Sequence, residues 1–296
     1  MVRSRVHPER YEVIPWTLPA QQYAVDADSA SYMTRALAPN PGDSNNPYTF
    51  RFPNFAIGSF ACAFQVADAT RDPTYSIPLD HPTWACGLDA AVPVPPGTQA
   101  DPSSDHALSI YDAAANRIHD IWQFRSDGAG GYLGGSGCSS TPPNWDVGPN
   151  AANIPSRCGY VRPEEIANGY IDHALRFTSP DTADANRYRY PARHTDGPST
   201  DTWAMPEGAW LVMDPAADLS ALARWKQIIG QALKDFGAYC TDTGGTFSIP
   251  GENRINFGGL DDWKQVGVGN GAQNSLTLDL PWSSCWINAV PNDQRW

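Results

Sequence analysis

Proline and glycine interrupt this chain so densely, 27 and 25 of 296 residues, that long helices have little room to form. Between the interruptions lie short aromatic and β-branched stretches, the pattern of strands bounded by turns. His106–Asp112 and Arg117–Phe124 read as the two arms of a hairpin around the turn Ala113–Asn116. Tyr170–Phe177, Arg187–Ala192, Ala209–Met213, Ala238–Asp242 and Thr246–Ile249 read as further strands, and Arg162–Ile166 as a short helix start. One long amphipathic helix is predicted over about Leu219–Phe236. Leu219, Leu222, Trp225, Ile229, Ala232, Leu233 and Phe236 keep its spacing, and Gly237 stands where a C-cap belongs.

No internal repeat is visible. Residues 1–50, with Ala38-Pro-Asn-Pro-Gly-Asp-Ser-Asn-Asn-Pro47, read as an extended arm. Residues 51–296 read as one mainly β domain, a β-sandwich or jelly roll with the helix packed outside. The glycine run Gly128–Gly137 lacks the spacing of a phosphate-binding loop.

A net charge of −12 argues against nucleic acid or an anionic membrane as the main partner. No apolar run reaches the roughly 18–20 residues of a membrane-spanning helix. Met1-Val-Arg-Ser-Arg-Val-His-Pro8 has no apolar stretch behind its arginines, so a secretory signal is not visible there. The cysteines nevertheless favour a secreted protein with its leader removed. Cys62, Cys86, Cys138, Cys158, Cys240 and Cys285 are even in number, with no CxxC and no metal-ligand spacing. Pairing in sequence order, Cys62–Cys86, Cys138–Cys158 and Cys240–Cys285, restrains two Pro/Gly-rich loops and is one of 15 pairings.

Three polar groupings stand out. Alternation in Ile118-His-Asp-Ile-Trp-Gln123 puts Asp120 and Trp122 on one face, an acid beside an indole as a sugar site requires, with Asp105 and His106 opening the neighbouring strand. In Tyr170-Ile-Asp-His-Ala-Leu-Arg176, His173 falls in an apolar row, where burial would keep it neutral and suited to proton abstraction, while Tyr170 and Arg176 share the other face. After Tyr188-Arg-Tyr-Pro-Ala-Arg193, His194 and Asp196 lie in a turn, and Arg193 could hold a carboxylate. Glu164, Glu165 and Glu207 are explained by a helix start and a turn. There is no GxSxG and no HExxH, and no metal site is assigned.

Arg162–Phe177, Tyr190–Gly197, Met205–Trp210 and Ala232–Gly245 resemble a family of secreted, mostly actinobacterial proteins. The family pattern runs G-x-I-x-HALRF, PA-x-H/K-x-x-DG, P-x-G-x-R-x-x-L-D and AL-x-x-YG-x-x-x-D-x-G. The likeness covers roughly residues 100–250 and departs from the pattern at Trp210–Met213, where an Arg is usual at 210 or 211, and at Phe236, where a Tyr is usual. Such proteins are often attached to carbohydrate-binding modules, so the resemblance implies an extracellular glycan role. It draws attention to His106, Asp120, Glu165, His173, His194, Asp196 and Asp242.

The leading expectation is therefore a secreted glycoside hydrolase with Asp105 and Asp120 as acid–base pair, His106 or His173 tuning an acid, and Trp122 lining the cleft. Carboxyls about 5–5.5 Å apart would retain configuration, and about 6.5–9.5 Å would invert it. The alternatives are a polysaccharide lyase, with His173 or Tyr170 abstracting a proton and Arg176 or Arg193 neutralising a uronate, and a non-catalytic glycan-binding module. The expected partner is a polysaccharide or oligosaccharide. No cofactor is expected; a structural Ca²⁺ held by oxygens from scattered loops would leave no spacing to read.

Overall fold

The computed structural model describes residues 16–37, 53–84, 86–141, 148–184 and 186–289. Its strands run β1 (Asn54–Ala56), β2 (Ala63–Ala67), β3 (Thr74–Tyr75), β4 (Val92–Pro93), β5 (Leu108–Asp112), β6 (Arg117–Trp122), β7 (Arg125–Ser126) and β8 (Tyr132–Leu133). They continue as β9 (Ser136–Ser140), β10 (Leu175–Ser179), β11 (Trp210–Met213), β12 (Ala238–Thr243), β13 (Ser248–Pro250), β14 (Ser275–Thr277) and β15 (Cys285–Asn288). The α-helices are α1 (Ser29–Leu37), α2 (Pro163–Asn168), α3 (Arg224–Asp235) and α4 (Leu260–Gln265). The described residues form two compact units, each drawn from separated stretches of the chain. Unit one is Ala56–Arg157 with Gly251–Ser275; unit two is Cys158–Pro250 with the described parts of Arg10–Phe55 and Leu276–Trp296.

Unit one is built on the sheet β2-β5-β6-β9. The predicted hairpin is its centre, with Leu108 opposite Ile121 and Asp112 opposite Arg117. Alternation sends Leu108, Ile110 and Ile121 into a core with Ala63, Ile77, Val92, Val94 and Phe124. On the other face the Arg157 guanidinium lies over the Phe64 and Tyr111 rings and donates from Nε to Ser109 Oγ at 3.2 Å.

A disulfide joins Cys86 to Cys138 on β9. This corrects the pairing expected from sequence order, since it precludes both Cys62–Cys86 and Cys138–Cys158. Register is the reason: Gly87 bridges Cys138 in parallel, which brings the preceding residue of the loop to the edge strand. Cys62 and Cys158 are buried.

Unit two carries the sheet β14-β1-β13-β10-β12-β11-β15. Cys240 is beside Ala209, whereas Cys285 lies opposite Met213, so the length of β11 separates them and the expected Cys240–Cys285 bond does not form. Helix α3 buries Trp225, Ile228, Ile229, Ala232 and Leu233, one stripe at helical spacing. It starts at Arg224, five residues later than expected, because Asp218 Oδ1 accepts from the Ser220 N–H and turns the chain, while Leu219 packs against Gly230. Gly237, at φ +75°, ends it as predicted.

Strand β10 begins only at Leu175, so alternation does not govern 170–174. Gly169 ends α2 in the left-handed region, and the Ala174 N–H bonds to Trp16 O instead of to the sheet. Arg187–Ala192 is irregular rather than a strand, and Pro191 within it has no N–H to donate. Within the expected arm, α1 is a helix burying Ser29, Tyr32, Met33 and Ala36, an i, i+3, i+4, i+7 face. Residues 1–15 and 38–50 of that arm lie outside the described residues.

The chain is mainly β. Both larger sheets are mixed, β2 being parallel to β5 and β10 parallel to β12, which departs from the antiparallel pattern of a jelly roll. No helix among the described residues is long and apolar enough to cross a membrane.

Candidate functional site

On unit one, three rings gather beside the end of β6. His81 stacks on Trp84 with centroids 4.1 Å apart and planes at 15°, and Trp122 lies 6.2 Å from Trp84. Trp84 is 60% exposed and Trp122 half-buried, so the group presents aromatic surface to solvent. Trp122 Nε1 donates to Asp105 Oδ1 at 3.4 Å, which sets a carboxylate at the platform edge.

The glycine run has its use here. Gly134 O accepts from the Asp80 N–H, Gly135 O from the His81 N–H, and the Gly135 N–H donates to Trp122 O at 2.7 Å. A Cβ on Gly135 would stand 2.7 Å from Trp122 Cε3, so the indole seats only against a bare backbone. His106 and Gln123 both adopt positive φ at the open end of the hairpin, where the Gln123 N–H donates to Asp105 O and the Phe124 N–H to His106 O. Non-glycine residues in this region collect at binding sites.

The acid predicted beside Trp122 does not reach solvent. Asp120 is 1% exposed and accepts from the Ser156 N–H at 2.9 Å. His106 is exposed, with Nδ1 3.1 Å from Asp101 O. Asp101 is buried, accepting from Ser103 Oγ and the Phe60 N–H, and burial pushes its carboxyl up to about 6, aided by the nearby Asp105 charge.

On unit two the folding of β11 and β12 assembles three acids from distant positions. Asp242 lies on β12, beside an irregularity in the β10 register between Phe177 and Thr178. Glu207 precedes β11, its carbonyl accepting from the Arg189 N–H at 2.7 Å. Asp196, exposed, accepts from Thr243 Oγ1 at 2.8 Å. One carboxylate oxygen from each lies within 4.8 Å of the other two. Gly208 next to Glu207 is required by its φ of +83° and by the close passage of Arg189 O. Burial, together with the Asp242 and Asp196 charges, pushes the Glu207 carboxyl up to about 10.

No protein-family model, curated protein or solved structure matches this chain.

His173 is fully buried, with Nε2 2.9 Å from Glu165 Oε1 and Nδ1 2.8 Å from Ala174 O. Glu165 Oε2 also accepts from the Arg162 N–H, which caps the first turn of α2 from its third residue. Arg176 is 4% exposed, donating to Thr241 Oγ1 and lying over the Tyr160 ring. Tyr170, Arg193 and His194 are exposed. The sequence reading of the sites missed His81 and Trp84, whose signal was a Trp between Pro82 and Cys86, and it explained Glu207 as a turn acid.

Proposed function

We propose that this is an extracellular glycan-binding protein, holding a saccharide on the His81–Trp84–Trp122 platform of unit one with Asp105 accepting from a sugar hydroxyl. The exposed Trp84 beside Trp122 carries this reading: pyranose rings bury their C–H faces on indoles while a polar group at the edge orients the hydroxyls. The Cys86–Cys138 disulfide suits an oxidising compartment and supports the extracellular location. The resemblance to secreted glycan-associated proteins points the same way.

Binding draws more support than either reaction. Hydrolysis by Asp105 with Asp120 needs both carboxyls in one cleft, and Asp120 is buried. A lyase reaction through His173 and Arg176 needs both to reach a uronate, and both are buried with their polar atoms engaged. The sandwich arrangement expected from sequence is likewise proposed, and the platform does not depend on it.

The test is affinity for a panel of neutral and acidic polysaccharides, with mass spectrometry of the material after incubation. Binding that leaves the glycans intact is the expected result. Fragments carrying one added water would put hydrolysis first, unsaturated fragments would put the lyase first, and no binding to any glycan would overturn all three.

A further inference from the structure

We propose that Asp196, Glu207 and Asp242 of unit two bind a divalent cation, with Ca²⁺ preferred. Their nearest carboxylate oxygens lie within 4.8 Å of one another, about the span across which oxygens at roughly 2.3–2.6 Å face each other through a Ca²⁺ ion. Acids close together do not by themselves argue for an ion. Glu207 is the separate observation: it is fully buried, and among the described residues no donor meets either carboxylate oxygen at good hydrogen-bond geometry, although Asp196 is close enough for its N–H and carboxyl to act on the Glu207 charge. Three carboxyls this close, one of them buried, cannot all ionise without a compensating charge, and a cation is what they can share.

The donor set is oxygen only, which favours hard cations over zinc or copper. The three residues come from a loop, a turn and a strand, an irregular frame that suits the adaptable coordination of Ca²⁺ better than the strict octahedron of Mg²⁺. Thr243 Oγ1 holds Asp196 in place from outside the set at 2.8 Å. This inference is independent of the glycan platform, which belongs to the other unit.

The test uses the full chain, stripped with EDTA and titrated with CaCl₂ by calorimetry at neutral pH. The expected result is about one ion per chain and a Tm that rises with Ca²⁺ and less with Mg²⁺. Asp196→Asn, at an exposed position, should weaken Ca²⁺ binding about tenfold or more, and Glu207→Gln should abolish it. If Glu207→Gln does not fold, Asp196→Asn and Asp242→Asn carry the test. Wild-type protein with neither heat of binding nor a Tm rise would overturn the proposal, and so would variants that bind Ca²⁺ as tightly as wild type. A stronger response to Mg²⁺ would overturn the preference.

Discussion

His173 Nε2 lies 2.9 Å from Glu165 Oε1, and the same carboxylate caps α2 through the Arg162 N–H. One acid thus ties the start of a helix to the residue that leads into β10. Burial alone would raise the Glu165 carboxyl, but the His173 charge and then Arg162 outweigh it and hold it below its ordinary 4.5. A carboxyl that titrates lower when folded stabilises above its unfolded value, and that stabilisation is lost as pH falls through the folded one. Glu165→Gln should therefore destabilise unit two by about 3 kcal/mol at pH 7. The gap to wild type should narrow below about pH 4.5 in denaturant melts at stepped pH; a gap independent of pH would show that folding does not lower the Glu165 carboxyl.

Trp84→Ala should weaken binding of the best glycan of the panel about tenfold, as expected for one stacking indole, while leaving Tm nearly unchanged because the ring is mostly exposed. Trp203→Ala, an exposed indole of unit two, should leave affinity at the wild-type value. Equal losses in both would separate binding from the platform.

Asp101 titrates near 6 when folded against an ordinary 3.8. Between those values the native state keeps a proton that the unfolded chain has released, so this residue lowers stability as pH rises from about 4 to 6, by at most about 1.4 kcal/mol per pH unit. Asp101→Asn should gain on wild type across that interval and stay level above it. Parallel stability curves would show that Asp101 is ionised throughout.

Cys86 and Cys138 are 52 positions apart, and closing a loop of that size should contribute about 2–4 kcal/mol by restricting the unfolded chain. The Cys86→Ser, Cys138→Ser double variant should lose that much in chemical denaturation. Peptide mapping without reduction should recover a linked pair holding these two cysteines; recovery of Cys62 with Cys86 would contradict the observed register.

Local pattern was enough for what local pattern governs. The β5–β6 hairpin, the start of α2, the apolar stripe of α3 and its Gly237 end all follow from residues that touch their own neighbours in sequence. The acid that alternation sets beside Trp122 is Asp120, which the fold buries; Asp105, placed by the sequence only at the opening of the neighbouring strand, is the one that accepts from the indole. The amphipathic face of α1 was present in Ser29, Tyr32, Met33 and Ala36 too, but the surrounding prolines and asparagines obscured it.

Sheet order, disulfide register and site assembly depend on contacts between residues far apart in the chain. Cys86 meets Cys138 across 52 positions, and Asp242 joins Asp196 and Glu207 only because β12 is folded beside the turn leading into β11. Trp84 reaches Trp122 only because Gly134 and Gly135 let the preceding loop lie flat against β6. Composition and periodicity were sufficient to make this chain mainly β with one long amphipathic helix. Which carboxylates are buried, and which indoles face water, was decided by tertiary packing, because burial and desolvation belong to the assembled surface and not to any stretch of sequence.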